Sequence, residues 1–236
     1  MTAPGPIVVL TGAGISQESG LETFRDKGGL WSRVSIDEVA TPEAYARDPG
    51  RVHAFYNARR QQLLDPAIRP NAAHVALARL EREYPDEVLL VTQNIDDLHE
   101  RGGSQRPLHM HGELLKARCM QCAAVSEWRE DLATDTPCPE CQAPGGMRPH
   151  VVWFGEIPLE LERIGAALER CTQFVAIGTS GQVYPAAGFV AAAKAAGAHT
   201  VEINLEPTPG EDLFAQRITG PASVRVPDFV DAVLAR

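Results

Sequence analysis

Short runs of β-branched and other apolar residues alternate along this chain with longer segments of helical periodicity. Near-continuous apolar runs are typical of strands covered on both faces, as in a parallel sheet. The segments 72–84 and 159–171 instead repeat their apolar residues at the spacing of an amphipathic helix. This alternation predicts an α/β fold with a parallel, doubly wound sheet. The apolar runs lie at 6–12, 87–96, 150–155, 173–180 and 200–206.

Several of these runs end in small or polar residues. Open α/β sheets bind their ligands in a crevice outside the carboxyl ends of the strands. We therefore expect the residues at the ends of these runs to share one crevice. They are Thr11 and Gly12, Gln93 and Asn94, Gly178 to Ser180, and Asn204.

Two stretches depart from the alternation. Residues 34–64 have helical periodicity without an intervening strand, and residues 114–147 carry cysteines among prolines and glycines. We interpret both as excursions that pack together as a small second lobe. The main domain then comprises residues 1–33, 65–113 and 148–236, which suits a chain of 236 residues.

Charge and hydropathy exclude two classes of partner. A net charge of -9 argues against a nucleic-acid-binding surface, which needs clustered lysines and arginines. Apolar runs fall short of the roughly 18 residues that span a bilayer, so we predict no membrane partner. The start, MTAPGPIVVLTG, lacks the basic region of a signal peptide and enters a predicted strand at once. We therefore expect a cytoplasmic protein.

Four of the five cysteines form two C-x2-C pairs separated by fifteen residues. Each pair can bring two thiolates onto one metal, and two pairs complete a tetrahedron. We predict one structural zinc ion, because four sulfurs leave no open coordination position. Two redox motifs are the weaker alternative, because neither pair opens a thioredoxin-like helix. The pairs are Cys119 with Cys122 and Cys138 with Cys141, whereas Cys171 is interpreted as a small buried apolar residue.

The segment GAGISQESG follows the first run and has Gly12 and Gly14 at the spacing of a dinucleotide-binding turn. The third glycine of that fingerprint is absent, with Gln17 in its place, and no clear acidic residue ends a second strand about 20 residues later. The segment alone is weak support for an ordinary dinucleotide site. Its glycines still allow the backbone to come close to a phosphate.

The helix predicted at 50–64 carries arginines close to its apolar stripe. Arg59 falls in the middle of the stripe and Arg60 at its edge. Because a buried charge must be paired, Arg59 either extends to water or a distant acid, or binds a carboxylate ligand. Arg60 is interpreted as a solvated surface charge. The apolar stripe consists of Val52, Phe55, Tyr56 and Leu63.

Two histidines, His109 and His111, lie between the 87–96 run and the cysteine region. Metal ligation is disfavoured for them, because the cysteines already satisfy the zinc ion. A histidine can act as a general base near neutral pH, although a single histidine is more often structural.

Together these segments resemble the sirtuins, which are NAD-dependent protein-lysine deacylases. The resemblance extends from about residue 6 to about residue 230 and includes spaced motifs in the family's order. It is closest to the bacterial class III branch, because FYNARR matches that branch's Tyr-x-x-Arg acyl-pocket pair. The other motifs are GAGISQESG, TFRD, TQNID, HMHGE, the paired C-x2-C, RPHVVWFGE, GTSGQVYPAAG and INLE.

The resemblance implies a large Rossmann-like domain and a small zinc lobe, with NAD and an acylated protein lysine bound in the cleft between them. It implies deacetylase and desuccinylase activity that yields nicotinamide, O-acyl-ADP-ribose and free lysine. His111 matches the catalytic base, and Asn94 would orient a water or a ribose hydroxyl. Tyr56 and Arg59 would bind the carboxylate of a succinyl, malonyl or glutaryl group, which favours the ligand interpretation of Arg59.

The resemblance also implies the remaining contacts. Asp96 would help to fix the nicotinamide amide, and Ala222 would lie near the adenine. A strand of Val152, Trp153, Phe154, Gly155 and Glu156 would pair with the substrate peptide by β-augmentation. The other implied NAD-binding residues are Gly12, Ala13, Gly14, Phe24, Arg25, Gln93, Ile95, Gly178, Thr179, Ser180, Asn204, Leu205 and Glu206.

The chain departs from the common sirtuin pattern at Gln17 and Glu22, where the family often has alanine and proline. The resemblance places both positions in the loop over the cofactor, so the departure concerns the conformation of that loop and not the reaction. Two other functions stay open. Mono-ADP-ribosyl transfer would use the same NAD chemistry, and a zinc-ribbon binding module would need no catalysis. The acyl-pocket pair disfavours the first, and the acidic charge disfavours the second.

Overall fold

The computed structural model describes residues 5–21, 34–208 and 213–235. The strands in chain order are β1 (Ile7–Thr11), β2 (Val88–Thr92), β3 (Leu108–His109), β4 (Gly112–Cys119), β5 (Val125–Glu127), β6 (Met147–Val151), β7 (Gln173–Ile177), β8 (His199–Asn204) and β9 (Gln216–Thr219). The helices are α1 (Gly14–Gln17), α2 (Ile36–Val39), α3 (Pro42–Arg47), α4 (Pro49–Leu63), α5 (Ala72–Glu83), α6 (Leu98–Arg101), α7 (Leu161–Leu168), α8 (Phe189–Ala195) and α9 (Ala222–Leu234).

Six strands form the main sheet in the order β3-β2-β1-β7-β8-β9, and every neighbouring pair is parallel. Alternate residues of β1 face opposite layers. Ile7 and Val9 pack with α5 and α9, whereas Val8 and Leu10 pack with α7 and α8. Helices therefore cover both faces of the sheet. The predicted α/β fold with a parallel, doubly wound sheet is confirmed.

The strand prediction was wrong for the run at 150–155. Strand β6 ends at Val151 and pairs antiparallel with β4 in a separate sheet of order β5-β4-β6. The main sheet instead gains β3 and β9, which the sequence analysis missed. These strands span 2 and 4 residues, too few to show a periodic pattern.

The two excursions, 34–64 and 114–147, contact each other directly. Val52, Tyr56 and Leu63 of α4 lie in one apolar cluster with Leu114 and Leu115 of β4. The cluster also contains Ile68 and Leu98 from the predicted main domain, so the domain boundaries stay a prediction.

Helix α4 begins at residues that favour a helix start. Asp48 caps it by accepting a hydrogen bond from the Arg51 N–H, and Pro49 occupies the first turn. The expectation that Arg60 is a solvated charge was wrong, because Arg60 is only 1% exposed. Its Nε donates to the Leu114 carbonyl and its Nη1 donates to Asn57 Oδ1.

The physical reason for the burial of Arg60 lies in β4. Pairing with β6 shifts register between Glu113 and Ala117, and Leu114 lies in that irregular stretch. Its carbonyl therefore faces the helix and accepts from the guanidinium. A helical wheel places Arg60 on α4 but gives no information about this acceptor. Within the ranges described above, we find no helix with the length and apolarity needed to cross a bilayer.

Candidate active site

A cavity of about 840 Å³ opens at the carboxyl ends of the main-sheet strands. Gly12, Gln93, Gly178 and Asn204, from the ends of four strands, all line it, as the crevice argument predicts. The other predicted site residues that line it are Ala13, Gly14, Tyr56, Arg59, Asn94, Ile95, His111, Val152, Trp153, Phe154, Gly155, Glu156, Thr179, Ser180, Leu205, Glu206 and Ala222.

Among the described residues, one predicted cofactor position lies outside this lining. Asp96 lines a smaller hollow, which also contacts Arg59 and Asn94 and so adjoins the main cavity. Phe24 and Arg25 lie outside the described residues, as does Glu22.

The glycines after β1 and β7 let two strand-end turns touch. The Gly14 N–H donates to the Gly178 carbonyl at 2.9 Å. A Cβ on Gly178 would lie 2.5 Å from the Ile15 nitrogen, and Gly178 has a φ of +60°. Both features restrict this position to glycine. These glycines thus allow two backbone segments to touch, and the joined turns form part of the cavity wall.

Asn94 is held by its amide nitrogen. Its Nδ2 donates to the Gly12 carbonyl at 3.2 Å and to Ser16 Oγ at 3.1 Å, which uses both amide hydrogens. Its Oδ1 is therefore the atom that can accept from a ligand. Asp96 accepts from Ser16 Oγ and from the Leu98 N–H, while burial raises the pKa of its carboxyl group.

His111 lines the cavity with a defined tautomer. Its Nδ1 lies 3.0 Å from the Gln93 carbonyl, and a carbonyl can only accept. The proton of neutral His111 is therefore on Nδ1, and Nε2 carries the free lone pair. Burial lowers the pKa of His111 below 6.5, although the Gln93 hydrogen bond opposes that shift. The imidazole is neutral at pH 7 and can act as a base.

His109 holds the same loop from a buried position. Its Nδ1 donates to the Asn94 carbonyl at 3.1 Å, and its Nε2 lies 2.8 Å from Glu100 Oε1. Burial acts to lower the pKa of His109, but Glu100, Glu113 and the Asn94 carbonyl outweigh it and raise that pKa. His109 thus has a structural partner at each ring nitrogen.

The other end of the cavity contains Tyr56 and Arg59 of α4. The Tyr56 hydroxyl accepts a hydrogen bond from Trp153 Nε1 at 3.1 Å. Burial raises the pKa of Tyr56 to about 12, although Trp153 and the Arg59 charge oppose that rise. Tyr56 therefore keeps its proton at physiological pH and can donate it. A cation and a hydroxyl donor one helical turn apart are suited to a carboxylate.

Residues 152–156 do not form the predicted strand: they are irregular, with a turn at Phe154 and Gly155. The N–H groups of Val152, Trp153 and Phe154 donate to His111, Glu156 and Ala40 respectively. Peptide pairing at this segment stays a prediction, and it would have to use other groups. Glu156 is held by Arg148, whose Nη1 and Nη2 donate to its carboxylate at 2.6 and 2.9 Å.

The cysteine pairs meet at the end of the small sheet. Cys119 Sγ lies 3.8 Å from Cys141 Sγ, and Cys122 Sγ lies 3.7 Å from Cys138 Sγ. All four sulfurs lie within 4.8 Å of one another. A zinc ion with bonds of about 2.3 Å to sulfur has tetrahedral edges of about 3.8 Å. The cluster therefore fits a single zinc ion, and the cavity lining described above contains none of these cysteines.

Some residues of the cavity were missed by the sequence analysis. Glu18, directly after α1, and Tyr184, after β7, line it. Gln17, which the sequence analysis places in the loop over the cofactor, lines it as well. Glu18 accepts from the N–H and hydroxyl of Ser223 at 2.9 and 2.7 Å. A carboxylate at the start of α9 is favoured by the helix dipole, but Glu18 is distant in sequence and no local pattern reveals the contact.

Comparisons with known proteins agree with these observations. The Sir2 family profile matches residues 12–185. The chain is 60% identical over 229 residues to the NAD-dependent protein deacylase of Vibrio parahaemolyticus serotype O3:K6, with 97% of this chain and 95% of that protein covered. It is 57% identical over 228 residues to the protein of that name from Escherichia coli (strain K12), with 97% and 82% covered.

Solved structures of Sir2 proteins have the same fold. A Sir2 homologue in complex with NAD has a TM-score of 0.86 and 38% identity, with 97% of this chain and 89% of that chain covered. Sir2Af2 bound to a myristoylated histone peptide has a TM-score of 0.74 and 32% identity, with 97% and 90% covered. The profile match, the identities and the shared fold place this chain in the Sir2 family.

Proposed function

We propose that this Sir2 family member is an NAD-dependent protein-lysine deacylase that accepts both acetyl and succinyl groups. Its products are nicotinamide, O-acyl-ADP-ribose and free lysine. The observation that carries the proposal is that one cavity is lined by a neutral base, His111, and by a carboxylate-binding pair, Tyr56 and Arg59. The naming of relatives at 57% to 60% identity as NAD-dependent protein deacylases supports it.

The residues at the strand ends fit NAD. Gly12, Gly14 and Gly178 line the cavity and carry no Cβ, so the backbone there can come close to a pyrophosphate. Glu206 and Asn204, at the end of β8, can accept hydrogen bonds from ribose hydroxyls. Bound NAD supplies a ribose carbon with a positively charged nicotinamide as the leaving group.

His111 moves the proton. Its Nε2 accepts a proton from a ribose hydroxyl, and the imidazolium that forms is stabilised because Nδ1–H already donates to the Gln93 carbonyl. Asn94 presents Oδ1, which accepts from a water or hydroxyl and so orients it. The hydrogen bonds from Nδ2 keep that oxygen fixed.

Arg59 and Tyr56 select the acyl group. A succinyl, malonyl or glutaryl lysine ends in a carboxylate, which accepts from the Arg59 guanidinium and the Tyr56 hydroxyl. An acetyl group ends in a methyl and makes neither contact. The substrates are acylated proteins, and the peptide would lie along residues 152–156 at the cavity mouth. We place the enzyme in the cytoplasm on the basis of its sequence.

Mass spectrometry of one peptide, carrying either acetyl-lysine or succinyl-lysine, tests the function. Both peptides should lose the acyl mass only when NAD is present, with release of nicotinamide. A radiolabelled NAD assay with protein acceptors tests the alternative activity, mono-ADP-ribosyl transfer. Transfer of label to protein without loss of acyl groups would favour ADP-ribosyl transfer and contradict the proposal.

A further inference from the structure

We propose that Trp153 is a positioning residue for acyl selectivity, because its indole N–H fixes the direction in which the Tyr56 hydroxyl donates. This inference rests on the proposed function, since it concerns how the same cavity distinguishes a carboxylate from a methyl group. It gives Trp153 a role different from pairing with the substrate peptide.

The hydrogen bond between Trp153 and Tyr56 can have only one donor. Trp153 Nε1 lies 3.1 Å from the Tyr56 hydroxyl oxygen, and an indole N–H can donate but never accept. The Tyr56 oxygen is therefore the acceptor, and its own proton must point away from Trp153. Tyr56 is 4% exposed and lines the cavity, so the remaining direction is available to a ligand there.

Trp153 is itself held through both its ring and its backbone. The Arg148 guanidinium lies 3.2 Å from the centroid of the indole, and the Tyr45 ring lies at 5.2 Å. The backbone N–H of Trp153 donates to Glu156 Oε2 at 2.8 Å, and Glu156 also forms an ion pair with Arg148. The indole therefore has little freedom to rotate, and the Tyr56 hydroxyl is oriented before any substrate binds.

This orientation matters only for some acyl groups. A succinyl carboxylate accepts a hydrogen bond from Tyr56, whereas an acetyl methyl cannot. A donor that is oriented in advance spares the bound state an ordering cost. Loss of the indole N–H should therefore lower the ratio of desuccinylation to deacetylation about fivefold, the factor that corresponds to one neutral hydrogen bond.

The variant Trp153→Phe keeps an aromatic face for Arg148 and removes the N–H. We expect its kcat/KM ratio for matched succinyl and acetyl peptides to fall about fivefold, chiefly through the KM of the succinyl peptide. In a Tyr56→Phe background the same change should leave the ratio unaltered, because no hydroxyl remains to be oriented. If Trp153→Phe acted by repacking the core, the ratio would change equally with and without the Tyr56 hydroxyl.

Trp128→Phe is the matched control. Trp128 packs against the apolar cluster of the small lobe, and its Nε1 has no hydrogen-bond partner in the described part of the chain. Trp128→Phe removes an indole N–H that does not contact Tyr56. The ratio of desuccinylation to deacetylation should therefore stay at the wild-type value.

A measurement on the resting protein tests the contact without substrate. The indole 1H–15N signal of Trp153 should shift in Tyr56→Phe, because its acceptor is lost, while the signal of Trp128 stays in place. An unchanged Trp153 signal would overturn the inference. A wild-type ratio of desuccinylation to deacetylation in Trp153→Phe would also overturn it, as would an equal fall of that ratio in the Tyr56→Phe background. Neither result would contradict the proposed deacylase function. If the wild-type protein left succinyl-lysine intact while removing acetyl groups, the proposed acyl range and this inference would fail together.

Discussion

Arg59 carries most of the charge recognition that we propose for the acyl pocket. It lines both the main cavity and the adjoining hollow, and its charge acts on the Tyr56 hydroxyl. A guanidinium in this position can contact a carboxylate through two N–H groups, which a lysine cannot reproduce.

Replacing Arg59 by methionine should therefore shift acyl selectivity. A hydrogen bond to a charged group is worth about 1.5–3 kcal/mol, so Arg59→Met should lower the desuccinylation to deacetylation ratio by roughly 10- to 150-fold. Steady-state kinetics with succinyl and acetyl peptides of the same sequence measures this ratio. Arg51→Met, on the same helix but 53% exposed and paired with Glu38, should keep it. An equal loss on both peptides would count against a selectivity role.

The pH dependence of activity should report His111. The base must be neutral, and burial places the pKa of His111 below 6.5. Activity should therefore persist as the pH falls to 6.5 and then decline through the lowered pKa. A profile of kcat/KM for the acetyl peptide between pH 4.5 and 8 measures this, with the pH range chosen around the ordinary histidine value of about 6.5. An acid limb centred above pH 6.5 would contradict the assignment.

Arg59 and Arg60 also show what a helical wheel can establish. The wheel placed Arg59 beside Tyr56, and both residues line the cavity. It failed for Arg60, because the burial of that charge depends on a carbonyl of β4 that the local sequence does not reveal. The hydrogen bonds of His109 and Glu156 are not revealed by a local pattern either, since His109 donates to the Asn94 carbonyl after β2 and Glu156 accepts from Arg148 of β6.

At the scale of elements, the contact between the turns after β1 and β7 determines the shape of the cofactor wall. Gly178→Ala would combine a left-handed conformation with a Cβ 2.5 Å from the Ile15 nitrogen. We expect a loss of about 2–4 kcal/mol in the free energy of unfolding, together with weaker NAD binding. Urea denaturation and calorimetric titration with NAD measure the two effects.

Gly165→Ala should have the opposite effect on the free energy of unfolding. Gly165 lies inside α7, and a Cβ there would meet nothing within 4 Å. Alanine favours a helix interior by about 1 kcal/mol over glycine, so this variant should be more stable than the wild type. A Gly178→Ala protein that unfolds at the wild-type denaturant concentration would contradict the close-packing argument.

The elements that the sequence predicted well are those whose signal extends over a full strand or helix. Strands β1, β2, β7 and β8 and helix α5 each have such a run, and their positions are confirmed. Strands β3 and β9 are too short to be periodic. The 150–155 run misled the prediction because an apolar run indicates burial but not the sheet that provides it. Val151 and Trp153 are buried in the cluster under α4.

At the scale of the molecule, the small sheet depends on its metal site. In the described part of the chain, the buried apolar cluster at the metal site consists of Ala117, Cys119, Leu132, Cys138 and Met147, with Trp128 packed against it. So small a cluster needs a further source of stability, and structural zinc supplies folding free energy directly.

Removal of zinc should therefore unfold the small sheet before the main sheet. Cys138→Ser should bind less than one zinc ion per chain and show a lower-temperature unfolding transition, measured by elemental analysis and calorimetry. Cys171→Ala is the control, because Cys171 is buried against α7 and the main sheet, away from the four sulfurs. Its zinc content should equal that of the wild type. Full stability of the zinc-free protein would contradict a structural role.

Helix α4 is held against the segment 114–147 through Asn57, which donates to the Leu132 carbonyl, and through Arg60, which donates to the Leu114 carbonyl. The glycine turns, by contrast, belong to the main sheet. On the proposed roles of Tyr56 and Arg59, substitutions along one face of a single helix would change over generations which modification is removed, without altering the turns proposed to hold the dinucleotide.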